Sequence, residues 1–184
     1  MDGIAGMRGF AHRQRMQQQG VRREDVMDRP IVAIVNTWSD LSPCHAHLRE
    51  RAEDILSGAE LIRRSLGAQE CLIGLEDNAT DSATALRSAL KASGYKQISI
   101  RVVPTRYPQG GEKQLIQTLT GREVPSEGLP LDIGIVVHNV GTVAAIWRAM
   151  RYAEPLTSRV VKVTGPGLAQ PRNLDVRLGT PVSE

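Results

Sequence analysis

The sequence predicts an α/β fold: three layers, with an open, mostly parallel sheet covered by helices on both faces. Three observations predict it. Short apolar runs alternate with stretches of helical periodicity along most of the chain. Aromatic residues are few, with one Phe, two Trp and three Tyr, so the core must be built of Leu, Ile, Val and Ala. Cores of that composition suit strands covered by helices. The length, 184 residues, buries a sizeable core without disulfides or metals.

Residues 1–29 are polar, rich in Arg and Gln, and irregular. The run Ile31–Val35 then reads as a buried strand, with Pro30 ahead of it where a missing amide donor is cheap. From His45 to Gly67, Leu48, Ala52, Ile55, Ala59, Ile62 and Leu66 recur at spacings of three and four, which predicts a long helix. Gly58 interrupts it and is expected to bend it, and Gly67 stops it. "ECLIGL" is a strand, and "NATDSATALRSALKASG" is a helix capped by Asn78 or Thr80 and ended by Gly94. "QISIRVVP" is a strand, "GGEKQLIQTLTG" a short helix opened by a glycine pair, "LDIGIVVHN" a strand and "GTVAAIWRAMRYA" a helix. "SRVVKVTG" is expected as a last strand leaving the layered sheet. The Pro-spaced tail that follows reads as continuing into further chain, and no element is assigned to it.

Lys and Arg number 23 against 20 Asp and Glu, a mild basic excess. No segment combines a dense basic run with spaced aromatics, so nucleic acid is not an expected partner. The stretch Arg8–Arg23 reads as a solvated leader or surface helix. Cys44 and Cys71 are the two cysteines and form no CxxC pair. The chain therefore cannot supply four thiolates, and Cys71, inside an apolar strand, is expected as a buried thiol. No apolar run reaches membrane-spanning length, and no secretory signal is read ahead of the domain.

In an open parallel sheet, ligands sit where strands hand over to helices. Three such junctions are polar. In Gly74–Asp81, Glu76 and Asp77 end a strand and precede a helix, where a carboxylate suits the helix dipole. In Thr105–Leu115, Gly110 and Gly111 allow a ligand close to the backbone, and free amides could face an anion or an electron-rich ring edge. Tyr107 could stack there, and Glu112 and Lys113 project from the first turn. In Val136–Thr142, Asn139 can donate and accept, and Thr142 can cap. His138 reads as a satisfied polar residue rather than a base.

The strings "AEDILSGAELIRRSLGAQECLIGLEDNATDSATALRSAL", "YPQGGEKQL", "LTGREVP" and "NVGT" closely resemble the C subunit of the Rnf electron-transport complex, from about Arg51 to Val182. That subunit is similar to the flavin-binding subunit of respiratory complex I. The resemblance implies an FMN-binding domain that accepts hydride from NADH and passes electrons to iron–sulfur centres elsewhere. It implies a flavin wall at Tyr107, Gly110, Gly111 and Glu112 and a facing loop at Asn139 and Thr142; the residues themselves offer no catalytic or metal-binding group. The partners it implies are other subunits of a membrane electron-transport complex. The location it implies is cytoplasmic, peripheral to the inner membrane through those subunits.

The family's glycine-rich "G-x-GG-A-x-FP-T" loop, its "N-G-A-E-C-E-P" segment and its cysteine-rich iron–sulfur region have no counterpart in this sequence. The FMN site is therefore expected to be incomplete and the iron–sulfur cluster absent. "RPIVAIVNTWSDLSPCHAHLRERAEDI" resembles the start of dihydroxy-acid and sugar-acid dehydratases, over about Arg8 to Ile55. That likeness makes Cys44 an orphan cluster ligand. The domain reading is accordingly a dehydratase-like leader with strand and helix start at 1–50, and a partial flavin-binding α/β domain at 51–184. The functional reading is a partial electron-transfer module of an NADH- or ferredoxin-linked Rnf-type oxidoreductase, not active alone. The alternatives are a non-enzymatic scaffold or chimeric fragment, and an iron–sulfur dehydratase of hydroxy acids.

Overall fold

The computed structural model describes residues 32–36, 51–163, 165–167, 169–170 and 172–181. Four strands, β1 (Val32–Asn36), β2 (Glu70–Glu76), β3 (Ile98–Val103) and β4 (Ile135–Asn139), form one sheet in the order β3-β2-β1-β4. Every pairing in it is parallel. β1 lies between β2 and β4, so the apolar run at the end of the polar leader supplies an interior strand. Helices α1 (Ala52–Leu66), α2 (Thr80–Ser93), α3 (Glu112–Thr120) and α4 (Val140–Tyr152) connect the strands. A 3₁₀ turn, Pro130–Ile133, leads into β4.

Side-chain alternation along β2 gives the sheet two apolar faces. Cys71, Ile73 and Leu75 point to one face and pack with Ile55, Leu56, Ala59 and Ile62 of α1, Ala83 and Leu86 of α2, and Val143 and Ala144 of α4. Leu72 points to the other and packs with Leu115 and Ile116 of α3, Val124 and Ile135. The three-layer arrangement is therefore observed, with α1, α2 and α4 on one side and α3 on the other. Cys71 is fully buried, and burial foremost pushes its thiol up to about 12.

Local chemistry explains several boundaries. α1 carries Glu53 and Asp54 in its first turn and Arg63 and Arg64 in its last, matching the helix dipole. Gly67, at φ 66°, ends it by donating to the Arg63 and Arg64 carbonyls. Gly94 and Gly121 end α2 and α3 in the same left-handed conformation. Two expectations are corrected. Ala79 occupies the N-cap of α2 with no side-chain hydrogen bond, so neither Asn78 nor Thr80 caps it. Gly58 lies within an uninterrupted α1, and it serves contact: a Cβ there would stand 2.3 Å from the Val143 carbonyl oxygen of α4. The part of the expected helix before Arg51 lies outside the described residues.

The expected last strand is β5 (Ser158–Val163), and it does leave the parallel sheet. It pairs antiparallel with β6 (Arg172–Arg177), in the Pro-spaced tail to which the sequence pattern assigns no element. No helix among the described residues is long and apolar enough to cross a membrane.

Candidate functional site

Because all four strands run parallel, the loops that follow them share one edge of the sheet. The chain passes from β1 to β2 on one side, while β4 pairs on the other side of β1. The carboxyl ends of β1 and β4 therefore flank a topological switch point, where open α/β sheets leave a crevice for ligands. Asn36 and Asn139 are register partners at that end.

β4 ends in Asn139, which becomes the N-cap of α4, and its Oδ1 accepts from the Gly141 amide at 2.9 Å. The expectation that Thr142 caps is corrected: Thr142 sits inside the first turn of the helix, and its Oγ1 accepts from Nη2 of Arg159 at 3.1 Å. Arg159 comes from β5, an element that the sequence pattern does not connect to the site. A Cβ at Gly141 would stand 3.2 Å from Asn139 Oδ1 and 3.5 Å from Arg159 Nη1. An amide oxygen and a guanidinium thus converge on the space that the missing side chain leaves open.

The loop after β3 leads to α3, which lies on the opposite face of the sheet. Gly111 is the N-cap in an extended conformation, and no side chain caps the first-turn amides of α3; a Cβ at Gly111 would stand 2.3 Å from Gln114 Oε1. Gly111 donates to the Pro108 carbonyl at 2.8 Å, closing the turn ahead of the helix. Tyr107, joined to Pro108 by a cis peptide, is 91% exposed and free to cover a ligand. Glu112 is exposed in the first turn of α3. Lys113 turns away: its Nζ donates to the carbonyls of Pro125 and Ser126, both at 2.8 Å, and pins the loop that returns to β4.

At the end of β2, Glu76 is buried at 6% exposure and Asp77 is exposed. Asp77 Oδ1 accepts from the Thr105 hydroxyl at 2.6 Å and its amide at 3.1 Å. The hydroxyl bond foremost holds the Asp77 carboxyl below its ordinary value. Asp77 therefore ties two loops together. His138 is half-buried, and burial lowers its pKa, so its imidazole is neutral at pH 7. Among the described residues, no group of three or more His, Cys, Asp and Glu side chains is placed to hold a metal ion. Cys44 lies outside the described residues.

Comparison with known proteins gives this edge its context. A model of the family described as the Nuo51 FMN-binding domain matches residues 13–148. The chain belongs to the Nuo51 FMN-binding domain family. The match includes the polar leader from residue 13 on, and so overlaps the segment with dehydratase-like strings.

The chain is 46% identical over 137 residues to the C subunit of the ion-translocating oxidoreductase complex of Pseudomonas aeruginosa, covering 74% of this chain and 17% of that protein. The corresponding subunit of Rhodobacter capsulatus is 44% identical over 137 residues, covering 74% of this chain and 26% of the relative. That of Vibrio cholerae is 40% identical over 182 residues, covering 98% of this chain and 23% of the relative. The chain thus spans between 17% and 26% of the length of these relatives. Among solved structures, an NAD+-reducing [NiFe]-hydrogenase in the H2-reduced state superposes with a TM-score of 0.62 at 20% identity, over 83% of this chain and 32% of that one. An NAD+-reducing [NiFe]-hydrogenase in the air-oxidised state gives 0.59, also at 20% identity, over 86% of this chain and 32% of that one. These two likenesses show a shared fold.

The residues at the carboxyl edge fit the cofactor of a Nuo51 FMN-binding domain. FMN presents a phosphate and ring carbonyls, all hydrogen-bond acceptors. The edge offers donors: the first-turn amides of α3, the Thr142 hydroxyl, the Asn139 amide group and the Arg159 guanidinium.

Proposed function

We propose that this chain is the flavin-holding part of an Rnf-type electron-transfer oxidoreductase. FMN would rest against Tyr107, Gly110, Gly111 and Glu112 on one side and Asn139 and Thr142 on the other. One observation carries the reading. In a chain of the Nuo51 FMN-binding domain family, the two specific strings fall at helix starts on the carboxyl edge of one parallel sheet. Bound FMN would supply hydride and single-electron chemistry, and the chain would bind and orient it. The first-turn amides of α3 and the Asn139–Thr142 loop would hold its oxygens, and Tyr107 would cover part of its ring.

The relatives are subunits of ion-translocating complexes, and this supports the wider assignment. Under it, the electron donor is NADH or ferredoxin, iron–sulfur centres lie outside this chain, and partner subunits hold it at the membrane surface. The proposed flavin unit comprises residues 51–184 together with strand β1. The dehydratase alternative rests on the string around Cys44, and a single thiolate holds no cluster. The scaffold alternative predicts a folded, colourless protein that ignores flavin.

The test is an absorption spectrum of the purified protein, followed by titration with FMN monitored by flavin fluorescence. Saturable binding that weakens in Glu112→Ala, with an unchanged melting temperature, is the expected result. A folded sample that never saturates would leave the scaffold alternative standing.

A further inference from the structure

Arg159 carries a contact from the β5–β6 hairpin to a proposed flavin residue, Thr142. We propose that Arg159 is a positioning residue of that site. It fixes the Thr142 hydroxyl as a donor toward the ligand and makes the start of α4 selective for the phosphate-bearing flavin. The inference rests on the flavin reading above and adds to it a residue from outside the parallel sheet.

The argument begins with the hydroxyl. A threonine hydroxyl has one proton to give and two lone pairs to receive, whereas a guanidinium only gives. The bond from Arg159 Nη2 at 3.1 Å therefore occupies a lone pair of Thr142 Oγ1 and leaves its proton to be donated elsewhere. Helical threonines usually spend that proton on the carbonyl one turn back. Thr84 does so to the Thr80 carbonyl at 2.9 Å, and Thr120 to the Ile116 carbonyl at 2.7 Å. Thr142 is the third residue of α4, so the residue four back is His138 of β4 rather than a helical one, and Thr142 makes no such bond among the described residues. Its proton remains for an acceptor at the carboxyl edge of the sheet.

Charge points the same way. A guanidinium beside a helix start adds positive charge where the dipole is already positive, which costs free energy when nothing offsets it. Among the described residues no carboxylate pairs with Arg159, as with most of the exposed arginines, but Arg159 differs in standing beside a helix start. The guanidinium also lies beside Gly141, where a Cβ would stand in ordinary contact, 3.5 Å from Nη1. A phosphate near Thr142 would answer both the free hydroxyl proton and the unbalanced charge. Riboflavin, which lacks the phosphate, would answer only the first.

The experiment titrates the whole chain with FMN and with riboflavin. It compares the unaltered protein with Arg159→Gln, Arg159→Lys and Thr142→Val, each checked for folding by circular dichroism. The expected result is an FMN dissociation constant about tenfold higher in Arg159→Gln, as for loss of a charge-assisted hydrogen bond. Riboflavin binding should change much less, and Arg159→Lys should recover part of the loss. The FMN advantage in the unaltered protein should shrink as salt rises. Thr142→Val should weaken both flavins, because both use the hydroxyl. Equal FMN binding in the unaltered protein and Arg159→Gln would overturn the proposal. So would an equal loss for both flavins in a folded Arg159→Gln, which would make the residue merely structural. A folded, unaltered protein that binds neither flavin would remove the parent reading and this inference with it.

Discussion

Gly58→Ala tests the packing that sets the height of α4, and with it the Asn139–Thr142 loop. The added methyl carbon would stand 2.3 Å from the Val143 carbonyl oxygen and 2.9 Å from Val143 Cγ1. The nearer obstacle is backbone, which cannot rotate aside, so α1 and α4 must move apart. Two effects oppose each other. Alanine is favoured over glycine inside a helix by about 1 kcal/mol. Overpacking a close contact costs about 1–3 kcal/mol, and a backbone obstacle places this case toward the upper end. The expected net is a loss of about 2 kcal/mol. For a chain of this length that lowers the melting temperature by roughly 4–8 °C. Thermal unfolding followed by circular dichroism reads it directly. If the variant melts at or above the temperature of the unaltered protein, propensity outweighs contact and the close helix crossing is refuted.

Gly74→Ala should cost less than Gly58→Ala in the same melting assay, because its new methyl meets the movable Leu119 Cδ1 at 3.2 Å and Leu115 Cδ1 at 3.3 Å. Glu60, buried and bonded by Arg63 foremost and then Arg64, has its carboxyl lowered from 4.5 to about 2. Its stabilisation, about 3 kcal/mol by linkage, is present above pH 4.5 and lost as pH falls toward 2. In urea unfolding, Glu60→Gln should therefore be less stable at pH 7, with the gap closing by about pH 2. Cys71 should resist alkylation in the folded protein at pH 8 and react only in denaturant, as peptide mass spectrometry would show, since burial keeps its thiol protonated up to about pH 12. Asn139→Ala removes the acceptor for the Gly141 amide and should cost about 1 kcal/mol in denaturant unfolding.

Much of the layered fold was legible because its signals are local. The three-and-four spacing of Ile55, Ala59 and Ile62 marks the face of α1 that is buried. Gly67, Gly94 and Gly121 mark helix ends because each adopts the left-handed conformation there. The junction strings fell at strand ends for the same local reason. What stayed hidden depends on partners distant in sequence. β6 was missed because "RNLDVR" is charged and half solvated, and only its pairing with β5 makes it a strand. Gly58 was read as a bend because the sequence does not reveal that Val143 arrives against it. Arg159 was missed because it reaches Thr142 from a separate sheet, and no periodicity encodes that approach.

The two halves of the proposed flavin wall are set from opposite faces of the sheet, each by a glycine in the core. On one face, Gly58 admits the α4 backbone against α1, and α4 begins at the Asn139 cap. On the other, Gly74 of β2 sits under Leu115 and Leu119, so α3 lies close to the sheet and its first turn meets the carboxyl edge. In both places a missing side chain fixes how near a helix comes, and that distance fixes where the first-turn amides stand. The wall residues are mostly exposed polar groups or glycines, which have little packing of their own to position them. Their geometry is therefore inherited from the apolar layers beneath. A substitution in either layer should move one half of the wall without touching any residue that meets a ligand.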